Sequence, residues 1–527
     1  MRLPRIMIAA PKSGSGKTMI TCALLELLKE QGNVVSAFKC GPDFIDPMFH
    51  REIIGVPSRN LDCFFSDDEQ VKGLFLQRDL SGGLQGQQED REGCETGERK
   101  GTANREKCEI AYREDHRTAN GEDSDKKNGI SVIEGVMGLY DGLGGIEETA
   151  SSYHLARVLK APILLVIDAR GMGRSLLPLI KGFLAYDREH LIKGVILNKV
   201  GPAFSNRIAP VIRHELKVPV VGCFPEQREA LIESRHLGLM LPAEVDALKA
   251  RVRETAGILA QNVDMDQIMA IADQAPELSL SAETKSSDLG VAAVMGVAVE
   301  EQGRPNVRIA VARDEAFCFY YEDNLRLLQE NGAELVEFSP LHDRALPENV
   351  DGILLGGGYP ELYADRLAEN KSMRASIKHA IEKGMPSVAE CGGFLYLHEA
   401  MIDQNGEQFP MCGVLPEICE YKGRLVRFGY ITLDTDSAGE RAVEDGFLAK
   451  GETIRAHEFH YYDSSDNGNA YHAVKPVSGQ EWDCVHAGAE HWWGFPHLYY
   501  PSNPTFADNY IVAVNTYKNC QQEKSMR

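Results

Sequence analysis

The feature that most limits the fold is the start of the chain, where a short β-prone run at residues 5–10 leads into a glycine-rich loop and then into a helical pattern at residues 18–31. Isoleucine and leucine recur at helical spacing in the second segment, and Gly32 suits the end of a helix. The loop between the two segments contains Lys12, Ser13, Gly14, Ser15, Gly16, Lys17 and Thr18. A strand, a loop and a helix in this order predict the start of a parallel α/β sheet.

The same alternation of strand-like and helical stretches continues along the chain. Further strand-like runs lie at residues 34–38, 131–134, 163–168 and 194–197, and a second series lies at 309–311, 352–355 and 387–389. Strands that alternate with helices form parallel sheets covered on both faces. We therefore predict two α/β domains.

Changes in composition set the predicted domain boundaries. Residues 84–128 are rich in glycine, glutamine and charged residues and nearly free of large apolar ones, so we predict a disordered insertion there. Residues 246–271 are helical in pattern, and a linker-like composition follows at 275–305. The predicted organisation is an ATP-binding domain over 1–240, a helical segment and linker over 241–306, and a second domain over 307–520.

Charge and hydropathy exclude several classes of protein. The 527 residues carry a formal net charge of -22, which argues against a nucleic-acid-binding surface, because phosphates need basic partners. No apolar run approaches the ~20 residues of a membrane span, and the N-terminus lacks the layout of a signal peptide. The 12 cysteines form no Cys-x-x-Cys pair, so we expect reduced thiols in the cytoplasm. We expect a monomer or a homodimer.

The glycine-rich loop has the chemistry of a phosphate site, and all seven of its residues are predicted to contact a nucleotide. Gly14 and Gly16 let backbone N–H groups turn toward phosphate oxygens, and the helix N-terminus adds its dipole. Lys17 is placed to reach the terminal phosphates of ATP, and the Thr18 hydroxyl to bind Mg²⁺. The additional Lys12 matches the variant loop of the partition ATPases and dethiobiotin synthetases. A chance glycine-rich turn is the alternative.

Carboxylates near the phosphates would complete a magnesium site. Glu134 ends a strand-like run and Asp46 follows the second strand, so both fall at the carboxyl edge of the sheet, where open α/β folds bind ligands. We predict Thr18, Asp46 and Glu134 as Mg²⁺ ligands, with solvated loop carboxylates as the alternative. Asn198 ends another strand, and it is predicted either to read the nucleotide base or to belong to a plain turn.

A second reactive centre is indicated at Cys391, where a strand ends and Gly392 and Gly393 precede a predicted helix over 394–401. A nucleophile on such a turn is exposed, and the helix dipole is expected to lower the pKa of its thiol. The N–H of Gly392 would help to form an oxyanion hole. Attack of the thiolate on the amide of glutamine gives a glutamyl thioester and ammonia. A buried structural cysteine is the alternative.

A cysteine nucleophile needs an imidazole beside it. His457 and His460 lie in a segment that reads as extended, where residues three apart face opposite ways. Only one of the two is therefore expected to face Cys391.

Together these residues resemble the cobyrinate a,c-diamide synthase family. The matching segments are 9–18, 38–50 (FKCGPDFIDPMFH), 134–142 (EGVMGLYDG), 235–239 (RHLGL), 309–324 (IAVARDEAFCFYYEDN), 355–361 (LGGGYPE), 390–393 and 457–460. They span nearly the whole chain outside the 84–128 insertion and the C-terminal tail. The PDFIDP segment favours this family over the related cobyric acid synthases.

The resemblance implies a dethiobiotin-synthetase-like ATPase domain followed by a class I glutamine amidotransferase-like domain. Such enzymes amidate the a and c acetate groups of cobyrinate, a tetrapyrrole, with ATP, Mg²⁺ and glutamine. The resemblance also implies Cys391 as the nucleophile, His460 as the catalytic histidine, and Gly357 with Gly392 as the oxyanion glycines. It implies no third, carboxylate member after His460. Relatives often show Tyr-x-His-x-His near the C-terminus, whereas this chain reads FPHLY, and no role is predicted for its His497.

Several alternatives stay open. The macrocycle could be hydrogenobyrinate or nickel-sirohydrochlorin rather than cobyrinate. A partition-ATPase-like nucleotide switch is the alternative from another class, although a switch would not need Cys391. Arg313, Lys39 and Arg427 are candidates to hold the carboxylates of the substrate, or are plain structural charges.

Overall fold

The structure is a computed structural model that describes residues 3–77, 129–227, 242–280, 305–435 and 446–526. The predicted insertion at 84–128, the matching segment at 235–239 and most of the predicted linker lie outside these ranges. Within the described ranges, no helix combines the length and apolarity that a membrane span needs.

A seven-stranded sheet forms the centre of the N-terminal domain, and every neighbouring pair of strands is parallel. In spatial order the strands are β3-β2-β4-β1-β5-β6-β7. They span Arg5–Ala9 (β1), Val34–Cys40 (β2), Ser58–Leu61 (β3), Gly129–Glu134 (β4), Ile163–Asp168 (β5), Ile192–Asn198 (β6) and Val220–Phe224 (β7). The five strands predicted from the apolar runs of this half are confirmed, and each boundary lies within two residues of the predicted one.

Helices cover both faces of this sheet, and its strands are therefore buried on both sides. They span Lys17–Glu30 (α1), Ile45–Phe49 (α2), Asp68–Leu76 (α3), Ser152–Val158 (α4), Leu176–Tyr186 (α5), Pro202–Leu216 (α6), Pro242–Asn262 (α7) and Met265–Ala272 (α8). The stretch predicted as helical at 246–271 is two helices. Leu248, Val252 and Ile268 of these helices pack in one core with Ile6 and Ile8 of β1, so both helices belong to the N-terminal layer.

The C-terminal domain is built on a six-stranded sheet in the order β10-β8-β11-β13-β23-β22. Its strands are Val307–Ala312 (β8), Ala333–Phe338 (β10), Gly352–Leu355 (β11), Ser387–Glu390 (β13), His486–Gly488 (β22) and His491–Gly494 (β23). All pairs are parallel except β22 with β23. The described helices of this domain are Glu322–Glu330 (α9), Ala364–Glu369 (α10), Lys371–Glu382 (α11), Gly392–Leu397 (α12) and Thr505–Met526 (α13).

Three smaller sheets complete the C-terminal domain, and the apolar runs did not predict them. A five-stranded antiparallel sheet contains Arg427–Asp434 (β17), Thr453–His460 (β18), Tyr471–Val474 (β20), Glu481–Cys484 (β21) and His497–Leu498 (β24). A four-stranded sheet contains Ala400–Ile402 (β14), Gln408–Pro410 (β15), Ile418–Tyr421 (β16) and Tyr462–Ser464 (β19). A two-stranded sheet pairs Phe317–Phe319 (β9) with Gly357–Gly358 (β12).

The helix predicted over 394–401 is wrong in its second half. It ends at Leu397, and His398 is extended with φ -63° and ψ 164°. Met401 then pairs with Cys419 on one side and Phe409 on the other as part of β14. The apolar run continues through both elements, so hydrophobic spacing alone could not mark where the helix stops.

Direct contacts join the two domains. Arg59 of β3 and Asp323 of α9 form a buried ion pair with Nη1 and Oδ1 2.7 Å apart. The Tyr430 hydroxyl donates to Asp62 Oδ2 at 2.7 Å, and the Tyr321 hydroxyl donates to the Pro42 carbonyl at 3.1 Å. The loops that follow β2 and β3 therefore lie against the amidotransferase-like half of the chain.

Candidate active site

The glycine-rich loop follows β1 and leads into α1, as predicted. Gly14 and Gly16 have positive φ angles of 73° and 93°, a region that glycine reaches without strain. A Cβ added to Gly16 would also lie 2.2 Å from Asn198 Nδ2, so the close approach of β6 needs glycine here. The Lys17 side chain is buried, and its Nζ donates to the Met137 carbonyl at 2.5 Å.

Two of the predicted magnesium ligands are in direct contact. The Thr18 hydroxyl donates to Glu134 Oε1 at 2.5 Å, and Glu134 is completely buried at the end of β4. The third predicted ligand, Asp46, reaches the same cluster through Lys39, whose Nζ binds Asp46 Oδ2 and donates to Glu134 Oε1 at 3.0 Å. His50 Nε2 lies 3.3 Å from the second oxygen of Glu134. The carboxyl ends of β1, β2 and β4 thus bring these groups together.

The charges of this cluster depend on one another. Burial alone would raise the pKa of Glu134, but Lys39, His50 and the Thr18 hydroxyl hold it well below its usual range. The pKa of Asp46 shifts in the opposite direction, because burial and the charge of Glu134 raise it despite the ion pair with Lys39. Burial and the positive charge of Lys39 lower the pKa of Lys17 to about 8. Added positive charge or bound phosphate would therefore change the protonation of the whole group.

Asn198 holds the phosphate loop in place. Its Nδ2 donates to the Ser15 carbonyl at 2.7 Å, its Oδ1 accepts from the Lys199 N–H at 2.9 Å, and the residue is fully buried. Both ends of the amide are therefore engaged with backbone. That Asn198 recognises the nucleotide base stays a prediction. Its contacts support a role in positioning the glycine-rich loop. Within the loop, the Ser15 hydroxyl donates to the Lys12 carbonyl at 2.9 Å.

The thiol centre lies at the carboxyl end of β13. Cys391 has φ 48° and ψ -99°, the strained turn expected of a nucleophile between a strand and a helix. Its N–H donates to the Gly494 carbonyl of β23 at 2.8 Å. A Cβ on Gly393 would lie 2.2 Å from the Leu355 carbonyl, so the turn requires glycine there.

The expected lowering of the thiol pKa by the helix dipole is wrong. Burial raises the pKa of Cys391 above its usual value, and the charges of Glu361 and Glu458 act in the same direction. The helix that follows has only six residues, so its dipole is weak. A nucleophilic role for this thiol would therefore need a neutral base that takes its proton.

His460, the histidine predicted for this role, faces the same cavity as Cys391. Its Nδ1–H donates to the Tyr462 carbonyl at 2.6 Å, and its ring stacks on Phe495 with the ring centroids 4.0 Å apart. Burial lowers the pKa of His460 to about 4, so its ring is neutral. Its Nε2 has no hydrogen-bond partner among the described residues, which leaves a free basic nitrogen.

His497, for which the sequence predicted no role, also reaches the thiol centre. It comes three residues after the end of β23, the strand that pairs with the nucleophile strand β13. A Cβ on Gly357 would lie 2.3 Å from His497 Cε1, and a Cβ on Gly392 would lie 3.1 Å from the Gly358 N–H nitrogen. The two predicted oxyanion glycines, the turn at Cys391 and the His497 ring thus lie side by side. Burial lowers the pKa of His497 to about 3.

One cavity of about 910 Å³ extends from the thiol centre to the loops that follow β2 and β4 in the N-terminal domain. Its walls contain Cys391, His457, His460 and His497 from the C-terminal domain. The N-terminal domain contributes Phe44 and Met137 among others. Met137 is the residue whose carbonyl accepts the Lys17 ammonium. The loop after β4 is therefore shared by the phosphate site and the thiol cavity.

Comparison with known proteins assigns each half of the chain to a domain family. The model of the CobQ/CobB/MinD/ParA nucleotide binding domain matches residues 6–239, and that of the CobB/CobQ-like glutamine amidotransferase domain matches residues 308–494. A cobyrinate a,c-diamide synthase of Caldanaerobacter subterraneus is 34% identical over 91% of each chain. The protein of that name from Listeria innocua is 36% identical over 87% of this chain and 86% of its own length. The one from Dehalococcoides mccartyi is 34% identical over 97% of this chain and 98% of its own length. The chain belongs to the cobyrinate a,c-diamide synthase family. The predicted resemblance and fold class are confirmed, and this family member is a glutamine-dependent amide ligase.

The three basic residues considered as substrate contacts all have internal partners in this cobyrinate a,c-diamide synthase family member. Lys39 belongs to the phosphate cluster, as its buried ion pairs show. Arg313 Nε lies 3.1 Å from Glu337 Oε1, and Arg427 lies over the Trp482 ring at 4.2 Å. A lysine within a strand gives no sequence signal for such a cluster, so the central position of Lys39 could not be predicted.

Proposed function

We propose that this chain converts the a and c acetate groups of cobyrinate to amides, using ATP to activate each carboxylate and glutamine to supply ammonia. The observation that carries the proposal is the shared cavity. Cys391 lies at one part of its wall, and Met137, the contact residue of Lys17, lies at another. The loop after β4 therefore borders both centres, which supports passage of ammonia from one to the other.

The N-terminal residues fit the activation step. A carboxylate is a poor electrophile because it is anionic and lacks a leaving group, and phosphorylation of its oxygen removes both faults. The Lys17 ammonium is positioned to balance charge on the transferred phosphoryl group. The Thr18 hydroxyl and Glu134, 2.5 Å apart, form an all-oxygen donor set that fits Mg²⁺, and the second Glu134 oxygen lies 3.3 Å from His50 Nε2.

Phosphate oxygens would have to complete the coordination of that ion. Among the described residues, no group of three or more His, Cys, Asp or Glu side chains is arranged to hold a metal. Thr18 and Glu134 would hold the ion, which would supply positive charge against the phosphates of a nucleotide. Asp46, predicted as a further ligand, would reach it only after giving up its contact with Lys39.

The C-terminal residues fit the release of ammonia. We assign Cys391 as the nucleophile and His497 as the base that takes its proton, because the ring lies beside Gly357 at the end of the strand paired with the nucleophile strand. The N–H groups near Gly357 and Gly392 are placed to stabilise the oxyanion. His460, predicted as the catalytic histidine, has a free Nε2 on the same cavity, so experiment must separate the two.

Two substitutions test whether the centres cooperate. Cys391→Ala should abolish synthesis from glutamine, with a loss of roughly 1,000-fold or more, and should leave synthesis from added ammonia intact. Lys17→Ala should abolish both. Loss of both activities in Cys391→Ala would contradict the two-centre model, and normal turnover of Lys17→Ala would contradict the phosphate-site assignment.

Two further substitutions separate the histidines. Glutamate release from glutamine should fall in His497→Ala by at least roughly 100-fold, the range of general acid–base catalysis. In His460→Ala a smaller loss is expected, because the proposed proton transfer runs through His497. Normal glutaminase activity in His497→Ala with a large loss in His460→Ala would reverse the assignment.

A competition assay addresses the substrate. Cobyrinate, hydrogenobyrinate and nickel-sirohydrochlorin, offered side by side, should give the highest kcat/KM for cobyrinate if the relatives' name applies to this chain. A preference for another macrocycle would leave the chemistry intact and change the substrate. The described cysteines are all free thiols, which supports action in the reducing cytoplasm.

A further inference from the structure

A carboxylate lies beside the imidazole that we assign as the base. Glu390 is the last residue of β13, directly before Cys391, and only 6% of its surface is exposed. Its Oε2 lies 4.0 Å from Nδ1 of His497. That nitrogen has no hydrogen-bond partner among the described residues. A buried acid therefore faces an unsatisfied imidazole nitrogen next to the nucleophile.

Backbone pairing fixes both groups. Glu390 is the register partner of Gly494 in the parallel pair of β13 and β23, and the chain reaches His497 three residues later. The Leu498 carbonyl accepts from Asn324 Nδ2 at 2.7 Å, and the Asn324 Oδ1 accepts from the Tyr500 N–H at 2.8 Å. The segment that carries His497 is thus held on both sides.

Tyr500 also holds the carboxylate. Its hydroxyl donates to Glu390 Oε1 at 3.3 Å, the Leu498 backbone N–H also hydrogen-bonds the carboxylate, and Oε2 lies 4.0 Å from the imidazole Nδ1. Tyr500 is itself almost completely buried. The acid, its anchor and the histidine therefore form one connected group with little freedom to rearrange.

We propose that Glu390 is the positioning carboxylate of a Cys391–His497–Glu390 triad. The sequence indicated that a carboxylate following the histidine is missing. Here the acid comes instead from the residue that precedes the nucleophile. The inference rests on the proposed role of His497. The 4.0 Å separation is that of a ligand-free site, in which such contacts are often long and shorten when substrate binds.

The chemistry then balances as follows. The Cys391 thiol gives its proton to Nε2 of His497 as sulfur attacks the side-chain amide carbon of glutamine. The carbon–nitrogen bond breaks, and the same proton goes to the leaving nitrogen, which departs as ammonia. Water hydrolyses the thioester to glutamate and restores the thiol. Glu390 accepts the Nδ1–H throughout, so that Nε2 is the basic nitrogen and the imidazolium is stabilised when it forms.

The electrostatics support the pairing. Burial raises the pKa of Glu390 to about 8 and lowers that of His497 to about 3. Either charge alone is therefore costly in this site. When an imidazolium forms beside an ionised carboxylate, each charge compensates the other.

The decisive variant is Glu390→Gln, which keeps the size and the Tyr500 contact but presents an amide N–H to the imidazole. We expect kcat for glutamine hydrolysis to fall roughly 100-fold or more with KM little changed, and the ammonia-dependent synthesis to remain. The rate of Cys391 alkylation by iodoacetamide should fall as well. Glu390→Asp should recover part of the activity.

Asp187→Asn is the matched control. Asp187 is also buried, and its Oδ1 accepts from the Tyr153 hydroxyl at 3.0 Å as Glu390 accepts from Tyr500, but it follows α5 in the N-terminal domain, outside the wall of the cavity that contains Cys391. This control should stay within about threefold of wild type in glutamine hydrolysis. A loss of the same size in both variants would show a general effect of buried acids and would overturn the triad.

The outcomes separate this inference from the function on which it rests. If His497→Ala is inactive with glutamine and Glu390→Gln is not, only the role of Glu390 fails. If His497→Ala is active, the assignment of the base fails as well. Glu390→Gln added to His497→Ala should cause no further loss, because the acid acts through the imidazole. A further loss would overturn the positioning role.

Discussion

The ion pair between Arg59 and Asp323 offers the clearest test of how firmly the two domains are joined. Arg59 is 9% exposed and Asp323 is 5% exposed, and Nη1 lies 2.7 Å from Oδ1. The other Asp323 oxygen accepts from the Tyr499 hydroxyl at 3.2 Å, and Arg59 Nη2 donates to the Leu74 carbonyl at 2.6 Å. Asp323→Asn preserves this shape but leaves the buried guanidinium without a counter-charge.

The expected cost follows from burial. Removing one partner of a buried pair costs about 3–5 kcal/mol, most of it the penalty of the uncompensated charge. Arg174 and Glu215 provide a surface control with the same short contact, 2.6 Å, but with 71% and 39% of their side chains exposed. Glu215→Gln should cost less than about 1 kcal/mol. The Arg59→Met/Asp323→Leu double variant should recover much of the lost stability, because it removes both charges.

Urea unfolding measures these differences, and two signals resolve the domains. The three tryptophans lie in the C-terminal half at 482, 492 and 493, so fluorescence reports that domain while circular dichroism reports both. Asp323→Asn should lower the unfolding midpoint and separate the two signals. A loss no larger than that of Glu215→Gln, with the signals still coincident, would refute the view that this pair joins the domains.

Two more predictions concern the cavity and the pH dependence of stability. Phe44 stacks on Phe319 with ring centroids 5.1 Å apart, and its centroid lies 5.0 Å from that of the His497 ring. Phe44→Ala should therefore open the cavity and raise the amount of glutamate released per amide formed. An unchanged ratio of glutamate to amide would contradict this role of Phe44. Burial lowers the pKa of His398 from 6.5 to about 4, so its contribution to stability is present above pH 6.5 and is lost as pH falls toward 4. Between pH 7 and pH 5 the wild type should lose about 2 kcal/mol more than His398→Phe in urea unfolding, and equal losses would contradict the burial of a neutral ring.

Local signals predicted which residues meet at the carboxyl edge of the N-terminal sheet. The strand, the glycines and the lysine at that edge lie within residues 5–18, and Glu134 is marked by the end of its own strand. What joins Glu134 to Asp46 is Lys39, a buried cation inside β2. Hydrophobic spacing treats a lysine in a strand as a surface residue, so only the three-dimensional arrangement shows its role.

The thiol centre was predicted less completely because its parts depend on strand order. Cys391 and its glycines are local, and they were found. His497 and Glu390 meet only because β23 pairs with β13, and strands of two other sheets lie between β13 and β23 in the chain. His460 shares a recognisable HEFH segment, whereas His497 stands in a segment that departs from the pattern of relatives. Pattern matching therefore favoured the histidine with the clearer local signature.

One short segment after β2 links the two chemistries. Asp46 is joined to Lys39 and through it to Glu134, and Phe44, two residues earlier, contacts both Phe319 and His497. We expect a change at Asp46 to reach Phe44, because only one residue lies between them in the chain. Since the Phe44 ring lies 5.0 Å from the imidazole that we assign as the base, we also expect occupancy of the ATP site to alter the reactivity of the thiol.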